Sequence, residues 1–332
     1  MRSVADVKWS YQCLEGDNGR DVGSVRAMQT LRTPDARFAD LPDFGFEPQY
    51  AEVPDPDGGM LRMAWVEAGP ADGEPVLMLH GEPSWSYLYR HMIPVIADAG
   101  YRAIAPDLVG FGRSDKPTEL SDYSYARQVE WTRALIFDVL DLRGVTLVCQ
   151  DWGGLIGLRL AAEHADRFAR IVTANTGLPT GDIPMPEIWH LFRETITSAP
   201  TMDIARFVQA GCQKPMTEEM LAAYDAPFPD ETYKTAARAM PNLVPTQPDD
   251  PASDANRAAW QFLTTSPTPM LVAFSDGDPI TGGMAPILQS MMAGAAGRAH
   301  PTIEGAGHFL QEDAGVELAE HIVTFLRSTP AT

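Results

Sequence analysis

The stretch VCQDWGGLIG, Val148 to Gly157, constrains this chain more than any other. An apolar run, Val145 to Cys149, reads as a buried strand. It stops at a short Gly-rich turn, and Gly154 to His164 then reads as a helix. A strand that passes through a tight turn into a helix is the repeating unit of a parallel sheet. The same alternation runs along most of the chain. Gln49 to Val53 and Leu61 to Glu67 flank the turn DPDGG and predict a hairpin. Strands are expected at Val76 to Leu79, Tyr101 to Ala105, Arg170 to Ala174, Met270 to Phe274 and Ala299 to Ile303. Helices are expected at Tyr87 to Ala99, Tyr125 to Leu142 and Gly315 to Arg327. Such alternation implies a mostly parallel sheet covered on both faces.

The rhythm breaks between Gly177 and about Pro248. That section is rich in Met, Pro and aromatics, and it reads as short helices without a convincing strand. Inserted between two sheet strands, it is expected to sit as a lid over their carboxyl ends. The organisation expected is therefore a core from residues 28–176 and 249–332 and a helical cap from residues 177–248. Residues 1–27 are polar and without clear period, and are expected to be a disordered extension or an over-extended start.

Composition narrows the function. At 332 residues, 45% hydrophobic and 21% charged, the chain is ordinary for a globular protein with a sizeable core. Asp and Glu outnumber Lys and Arg by 45 to 25, a net charge of -20, which repels nucleic acid and anionic membranes. The cysteines, Cys13, Cys149 and Cys212, are widely spaced and odd in number, so neither a disulfide frame nor a zinc site is expected, and a reducing cytoplasm is. No apolar run approaches the length of about 18 residues that a membrane span needs. No phosphate loop or clustered metal-ligand spacing is present in the sequence, so no cofactor is implied.

The chemistry-bearing motifs follow the predicted strands, where open α/β sheets place their sites. They are LHGEPSW (Leu79 to Trp85), PDLVGFGRSDKP (Pro106 to Pro117), QDWGG, FSDGDPIT (Phe274 to Thr281) and GAGHFLQED (Gly305 to Asp313). In many hydrolases a serine nucleophile occupies the turn, in the pattern G-x-S-x-G. Here Asp151 takes its place. With Asp278 and His308 downstream, the order nucleophile, acid, histidine is that of an α/β-hydrolase triad. A carboxylate is already ionised at neutral pH, so it can displace a leaving group from saturated carbon without a base and become an ester. His308 would then draw a proton from the water that attacks the ester. Asp278 would hold the imidazole. Backbone N–H groups of Glu82 and Trp152 are the expected oxyanion donors. Asp276 is an alternative acid that the spacing leaves open, and Cys149, standing where the usual elbow has Gly, reads as small strand filler. His80 is expected to shape its turn; His91, His164, His190, His300 and His321 have no catalytic context.

Together HGEPSWSYLYR, IAPDLVGFGRSDKP, QDWGG, YDAPFPD and GAGHFLQE resemble the haloalkane dehalogenases, in the branch whose catalytic acid follows the seventh strand. The resemblance runs from about Arg32 to Arg327. It implies an α/β-hydrolase fold, a mostly parallel sheet flanked by helices, with a helical lid (cap) inserted after the sixth strand. It assigns the nucleophile to Asp151, the base to His308 and the acid to Asp278. It also implies that two tryptophan indoles hold the departing halide, Trp152 after the nucleophile and Trp189 as the only tryptophan of the lid insert. The sister branch takes its acid after the sixth strand, where this sequence has Asn175. Phe192, Phe207 and Phe228 are expected to complete an apolar cavity. The partners implied are a halogenated alkane, a halide ion and water as co-substrate, with no nucleic acid or membrane, for a monomer or weak oligomer.

Three other readings stay open on the sequence. An epoxide hydrolase shares the Asp nucleophile but needs lid tyrosines, for which Tyr224 and Tyr233 are the candidates. A haloacid dehalogenase of the same fold needs a cation for the substrate carboxylate, and Arg113 is too generic to supply that argument. A non-enzymatic binding protein needs no activated water, and an intact triad argues against it.

Overall fold

A computed structural model describes residues 28–330; the expectation of a disordered extension falls on residues outside the described ones. The central sheet has seven strands: β1 (Gln49–Pro54), β2 (Met60–Ala68), β3 (Pro75–Leu79), β4 (Arg102–Asp107), β5 (Val145–Gln150), β6 (Phe168–Ala174) and β7 (Met270–Val272). Their spatial order is β1-β2-β4-β3-β5-β6-β7. β2 runs antiparallel to both β1 and β4, and every other neighbouring pair is parallel. Beyond Ala273 the seventh strand continues as Phe274–Ser275, which pairs in parallel with β8 (Thr302–Ile303). A separate antiparallel pair joins Thr30–Leu31 to Lys116–Pro117.

Burial explains the strand sequences. All six residues of β5 are buried, as the middle of a parallel sheet covered on both faces requires. Edge strand β1 buries only Val53 fully. The β1–β2 turn uses Gly58 and Gly59 at φ +102° and +98°, a region closed to most side chains.

Among the described residues ten α-helices flank and cap the sheet: α1 (Met92–Asp98), α2 (Tyr125–Arg133), α3 (Trp152–Glu163), α4 (Glu187–Ser198), α5 (Ile204–Ala210), α6 (Glu218–Asp225), α7 (Thr235–Ala239), α8 (Ser253–Leu263), α9 (Met284–Met291) and α10 (Leu310–Ser328). The step from β3 to β4 moves one way along the sheet and the step from β4 to β5 moves back. Right-handed crossovers therefore put α1 and α2 on opposite faces. α10 packs on α1, while α3 packs on α2 and α8. The insertion between β6 and β7 carries α4 to α7 and then α8, so the helical cap follows the sixth strand. Among the described residues no helix is long and apolar enough to cross a membrane.

Several expected bounds shift for local reasons. The helix expected from Tyr87 starts at Met92. Before it, Ser86–Tyr89 forms a 3-10 turn whose Ser86 N–H is held by Asp107 Oδ1 at 2.9 Å and whose Tyr89 hydroxyl donates to Leu79 O at 2.7 Å. The helix from Tyr125 widens into a π-turn over Ala134–Val139. The helix expected from Gly315 begins at Leu310, with a kink at Ala314 (φ -146°, ψ 36°) that separates the turn carrying the His308 loop from the regular part.

Candidate active site

Asp151 lies at the carboxyl end of β5 and occupies the N-cap position of α3 at φ 50°, ψ -125°. An aspartate there ordinarily caps the helix with its side chain; this one makes no such bond. Its backbone is over-determined instead. Asp151 N–H donates to Asn175 O at 3.0 Å, and Thr176 Oγ1 donates to Asp151 O at 2.7 Å. The two glycines that follow are needed for space. A Cβ on Gly153 would stand 1.9 Å from Leu79 O, and one on Gly154 1.9 Å from Thr176 Oγ1. A strained, fully braced turn of this kind presents its side chain outward from the sheet.

The carboxylate so presented has two different neighbours. The Glu82 N–H, on the loop after β3, donates to Oδ1 at 2.8 Å. Oδ2 stands 3.5 Å from His308 Nε2. The Trp152 N–H is the first amide of α3, one of the donors that a helix start leaves free of intrahelical partners. Cys149 is wholly buried in β5 and touches Val172 O, as strand filler would.

His308 is buried in the loop between β8 and α10. Its Nδ1 lies 3.0 Å from Asp278 Oδ2. Asp278 accepts in addition from Ile280 N–H at 2.9 Å, from Thr281 N–H at 3.2 Å and from the Thr281 hydroxyl. Asp276, two residues earlier, is exposed and takes the Gly305 N–H at 2.9 Å; it does not reach the imidazole. Burial by itself would lower the His308 pKa. The charges of Asp278 and Asp151 outweigh it and push the imidazole up to about 10. Burial would likewise raise Asp278, yet the facing imidazolium and the hydroxyl of Thr281 bring it down to about 2. The two shifts describe one coupled ion pair.

Four residues given no role by the motifs hold this loop. Asn175 Nδ2 donates to Gly307 O at 2.8 Å and to His308 O at 3.1 Å, and its Oδ1 accepts from Ser275 N–H at 2.9 Å. Ser275 Oγ donates to Gly307 O at 2.8 Å. Gln150 Nε2 is 3.2 Å from His308 O and 3.1 Å from His308 Nε2, a contact that suits an unprotonated nitrogen. Asp313 takes the Gly307 N–H at 2.8 Å. Asn175 had one sequence signal, its place after the sixth strand where a relative carries an acid; the others had none. His80 does shape its turn, with Nδ1 2.9 Å from Gly81 O and Nε2 accepting from Leu108 N–H at 3.0 Å.

A cavity of about 1120 Å³ opens over these groups. Glu82, Asp151, Trp152 and His308 line it from the core, and Trp189, Phe192 and Phe207 from the cap. Phe228 is not on its wall; it packs edge-on to Phe111. Six tryptophans lie among the described residues. The indoles of Trp85, Trp131 and Trp260 donate to Ala223 O, Asp55 Oδ1 and Leu178 O. Trp65 is packed away with its N–H buried and unbonded. Trp152 and Trp189 alone of the six line the cavity with N–H groups that have no partner among the described residues. Tyr224 and Tyr233 do not line it, and the Tyr224 hydroxyl donates to Glu312 Oε2 at 2.6 Å. The Glu82 carboxyl is held well above the usual carboxylate range, first by burial and then by the charge of Asp151.

The family model for the α/β hydrolase fold matches residues 74–314. The haloalkane dehalogenase of Psychrobacter cryohalolentis is 50% identical over 303 residues, spanning 91% of this chain and all of its own length. That of Mycobacterium marinum is 50% identical over 298 residues, with 90% of this chain and all of its own covered. The solved tetrameric structure of a haloalkane dehalogenase from Paraglaciecola agarilytica NO2 superposes with a TM-score of 0.83 at 37% identity, over 89% of this chain and 97% of that one. Identity of this extent, end to end on a shared fold, makes the chain a member of the haloalkane dehalogenase family of α/β hydrolases.

Proposed function

We propose that the protein hydrolyses haloalkanes to a primary alcohol and a halide, with Asp151 as nucleophile, His308 as base and Asp278 as its partner. The observation that carries this reading is the free carboxylate of Asp151. It sits at a helix start without capping it, one oxygen held by Glu82 N–H and the other turned toward His308, in a cavity with two unpartnered indole donors.

In the first step an Asp151 oxygen attacks the carbon that bears the halogen. The carbon–halogen bond breaks, the halide leaves with the electron pair, and an alkyl ester forms. Trp152 and Trp189 receive the halide. An indole offers a donor and no acceptor, so a pair of them stabilises an anion without adding charge. Ester formation also removes the Asp151 charge, one of the two that hold His308 protonated. The imidazole pKa then falls, and the Gln150 contact at Nε2 favours the unprotonated ring. His308 can now take a proton from water as that water attacks the ester carbonyl. The oxyanion is met by the N–H groups of Glu82 and Trp152. Collapse releases the alcohol and regenerates Asp151, for a net release of alcohol, halide and a proton. The epoxide alternative lacks its acid, because Tyr224 is committed to Glu312 and neither tyrosine lines the cavity. We assign the enzyme to the cytoplasm as a monomer or weak oligomer, which sedimentation at micromolar concentration checks.

The test is bromide release from 1-bromobutane and 1,2-dibromoethane, with styrene oxide alongside. Bromide release that disappears in Asp151→Asn supports the reading. Diol from the epoxide without bromide overturns it in favour of an epoxide hydrolase.

A further inference from the structure

The cavity does not end at a closed wall. Of the ten exposed large hydrophobic residues among the described ones, five line it: Ile183, Ile188, Leu191, Ile287 and Met291. Ile183 is 77% exposed, Leu191 59% and Met291 52%. Single exposed apolar residues need no explanation, but half of them gathered on one cavity do.

Helix periodicity accounts for the gathering. On α4, Ile188, Leu191 and Thr195 stand at i, i+3 and i+7 and all line the cavity, while Trp189 is buried in it one position round. On α9, Met284, Ile287 and Met291 repeat the same spacing and line it too. Leu288 on that helix is turned to the core instead. Each helix thus carries a half-buried to exposed stripe along the cavity, apolar but for Thr195, beside a buried neighbour, Trp189 on α4 and Leu288 on α9. The stripes are longer than a short haloalkane needs. The cavity, about 1120 Å³, also exceeds the range of roughly 300–1000 Å³ that suits a drug-sized ligand.

We infer that the preferred substrates are terminally halogenated alkanes with long chains, about eight carbons or more, whose tails lie along the Ile188–Leu191 and Ile287–Met291 stripes while the halogen end meets Asp151. The inference rests on the assignment of Asp151 as nucleophile. A methylene that leaves water completely for an apolar lining strengthens binding about fourfold, and one half-covered at the mouth about twofold. The tail must gain this in the transition state relative to free substrate, so it registers in kcat/KM.

The experiment is a chain-length series, 1-bromobutane, 1-bromohexane, 1-bromooctane and 1-bromodecane, on the full chain and on the combined variant I183N/L191Q/M291Q. The three positions are mostly exposed, and thermal unfolding checks that the variant folds. The expected result is a kcat/KM that rises about twofold per added methylene to decyl in the wild type. In the variant the decyl-to-butyl ratio collapses at least fivefold. A wild-type series that is flat or falls beyond butyl overturns the inference, whatever the variant does. So does a variant that keeps the wild-type ratio but changes sedimentation, which would make the lip a contact between copies of this chain. Asp151→Asn, run on butyl and decyl alike, keeps the two readings apart. Residual bromide release there sinks the nucleophile assignment and the tail placement with it, whereas its loss with a flat series sinks the tail alone.

Discussion

The core and the cap solve different problems with different materials. In the core, the groups around His308 are wholly or nearly buried and each has several fixed partners: Asp278 accepts from His308, Ile280 and Thr281, and Asn175 bonds Ser275, Gly307 and His308. In the cap, α4 buries only Trp189 and Ile196 of its twelve residues, and its contribution to the cavity is apolar surface. Charge geometry demands placement to a fraction of an ångström and is held by hydrogen bonds. Apolar shape tolerates exchange of one side chain for another of similar volume. Substitutions in the core should therefore change the rate of chemistry, and those in the cap should change what is bound and how well.

The largest effect belongs to His308→Phe. Turnover is expected to fall about a thousandfold or more, because the ester forms and is not hydrolysed. A single equivalent of bromide should be released, and the intact mass should rise by one alkyl group. Steady turnover in this variant would remove His308 from the mechanism. The same variant tests the electrostatics. A histidine raised to about 10 contributes stability that is complete below its unfolded value near 6.5 and is lost as pH rises through 10. Its partner Asp278, depressed to about 2, contributes above about 3.9 and loses that contribution as pH falls through 2. The wild-type Tm is expected to decline between pH 6.5 and 10, and His308→Phe to lack that part of the decline.

Next in size is the seam between the regions. The Asp313 carboxylate accepts from Gln213 N–H at 2.8 Å and Lys214 N–H at 2.7 Å in the cap and from Gly307 N–H at 2.8 Å beside His308. Glu312 adds a pair with buried Arg90 and receives the Tyr224 hydroxyl from α6. Asp313→Ala leaves one buried and two partly buried amides without an acceptor, at a cost of roughly 3 kcal/mol. A Tm lowered by about 5–10 °C in a calorimetric scan is expected. A Tm unchanged within a degree would mean that the cap seats independently of the His308 loop.

The contrast also explains what the sequence disclosed. The core strands are apolar runs of period and length that only a buried parallel sheet needs, and their carboxyl ends were placed to within a residue or two. Asp151, His308 and Asp278 were legible because each follows such a strand, with Gly at the turns. The distinction between Asp276 and Asp278 was not legible, since which of two carboxylates reaches an imidazole depends on a loop turn fixed by Ile280 and Thr281. Gln150 and Asp313 were silent because their partners are backbone groups distant in sequence. In the cap, Phe192 and Phe207 were expected on the cavity and are there, on α4 and α5, whereas Phe228, in the turn after α6, packs on Phe111; a turn has no periodicity from which to read where its side chain goes.

On the cap side, Trp189→Phe keeps the ring and removes the donor. Halide affinity, read by quenching of tryptophan fluorescence with bromide, should weaken about ten- to a hundredfold, the worth of a hydrogen bond to a charged acceptor. Tm should move by no more than a few degrees. An unchanged bromide affinity would take Trp189 out of the halide site and leave Trp152 without its partner.

The smallest effect tests whether α4 brings a charge to bear on the halide. Arg193, one turn along α4, places its guanidinium carbon 4.9 Å from the centroid of the Trp189 ring. Among the described residues its guanidinium forms no hydrogen bond or close ion pair, although its charge reaches the Asp250 carboxylate. A cation over an indole face draws electron density toward itself and leaves the N–H a stronger donor, and its own field favours an anion nearby. At a half-buried site this is worth about 0.5–1 kcal/mol, so Arg193→Gln should weaken bromide binding only about two- to fivefold. Arg193→Lys should fall between, since an ammonium stacks less well on the ring. The effect should shrink as ionic strength rises, because a partly exposed charge is screened, whereas the loss in Trp189→Phe should persist. If Arg193→Gln binds bromide like the wild type at low salt, the cap acts on the halide through its indole alone, and the division into a charged core and an apolar cap is sharper than the geometry of α4 implies.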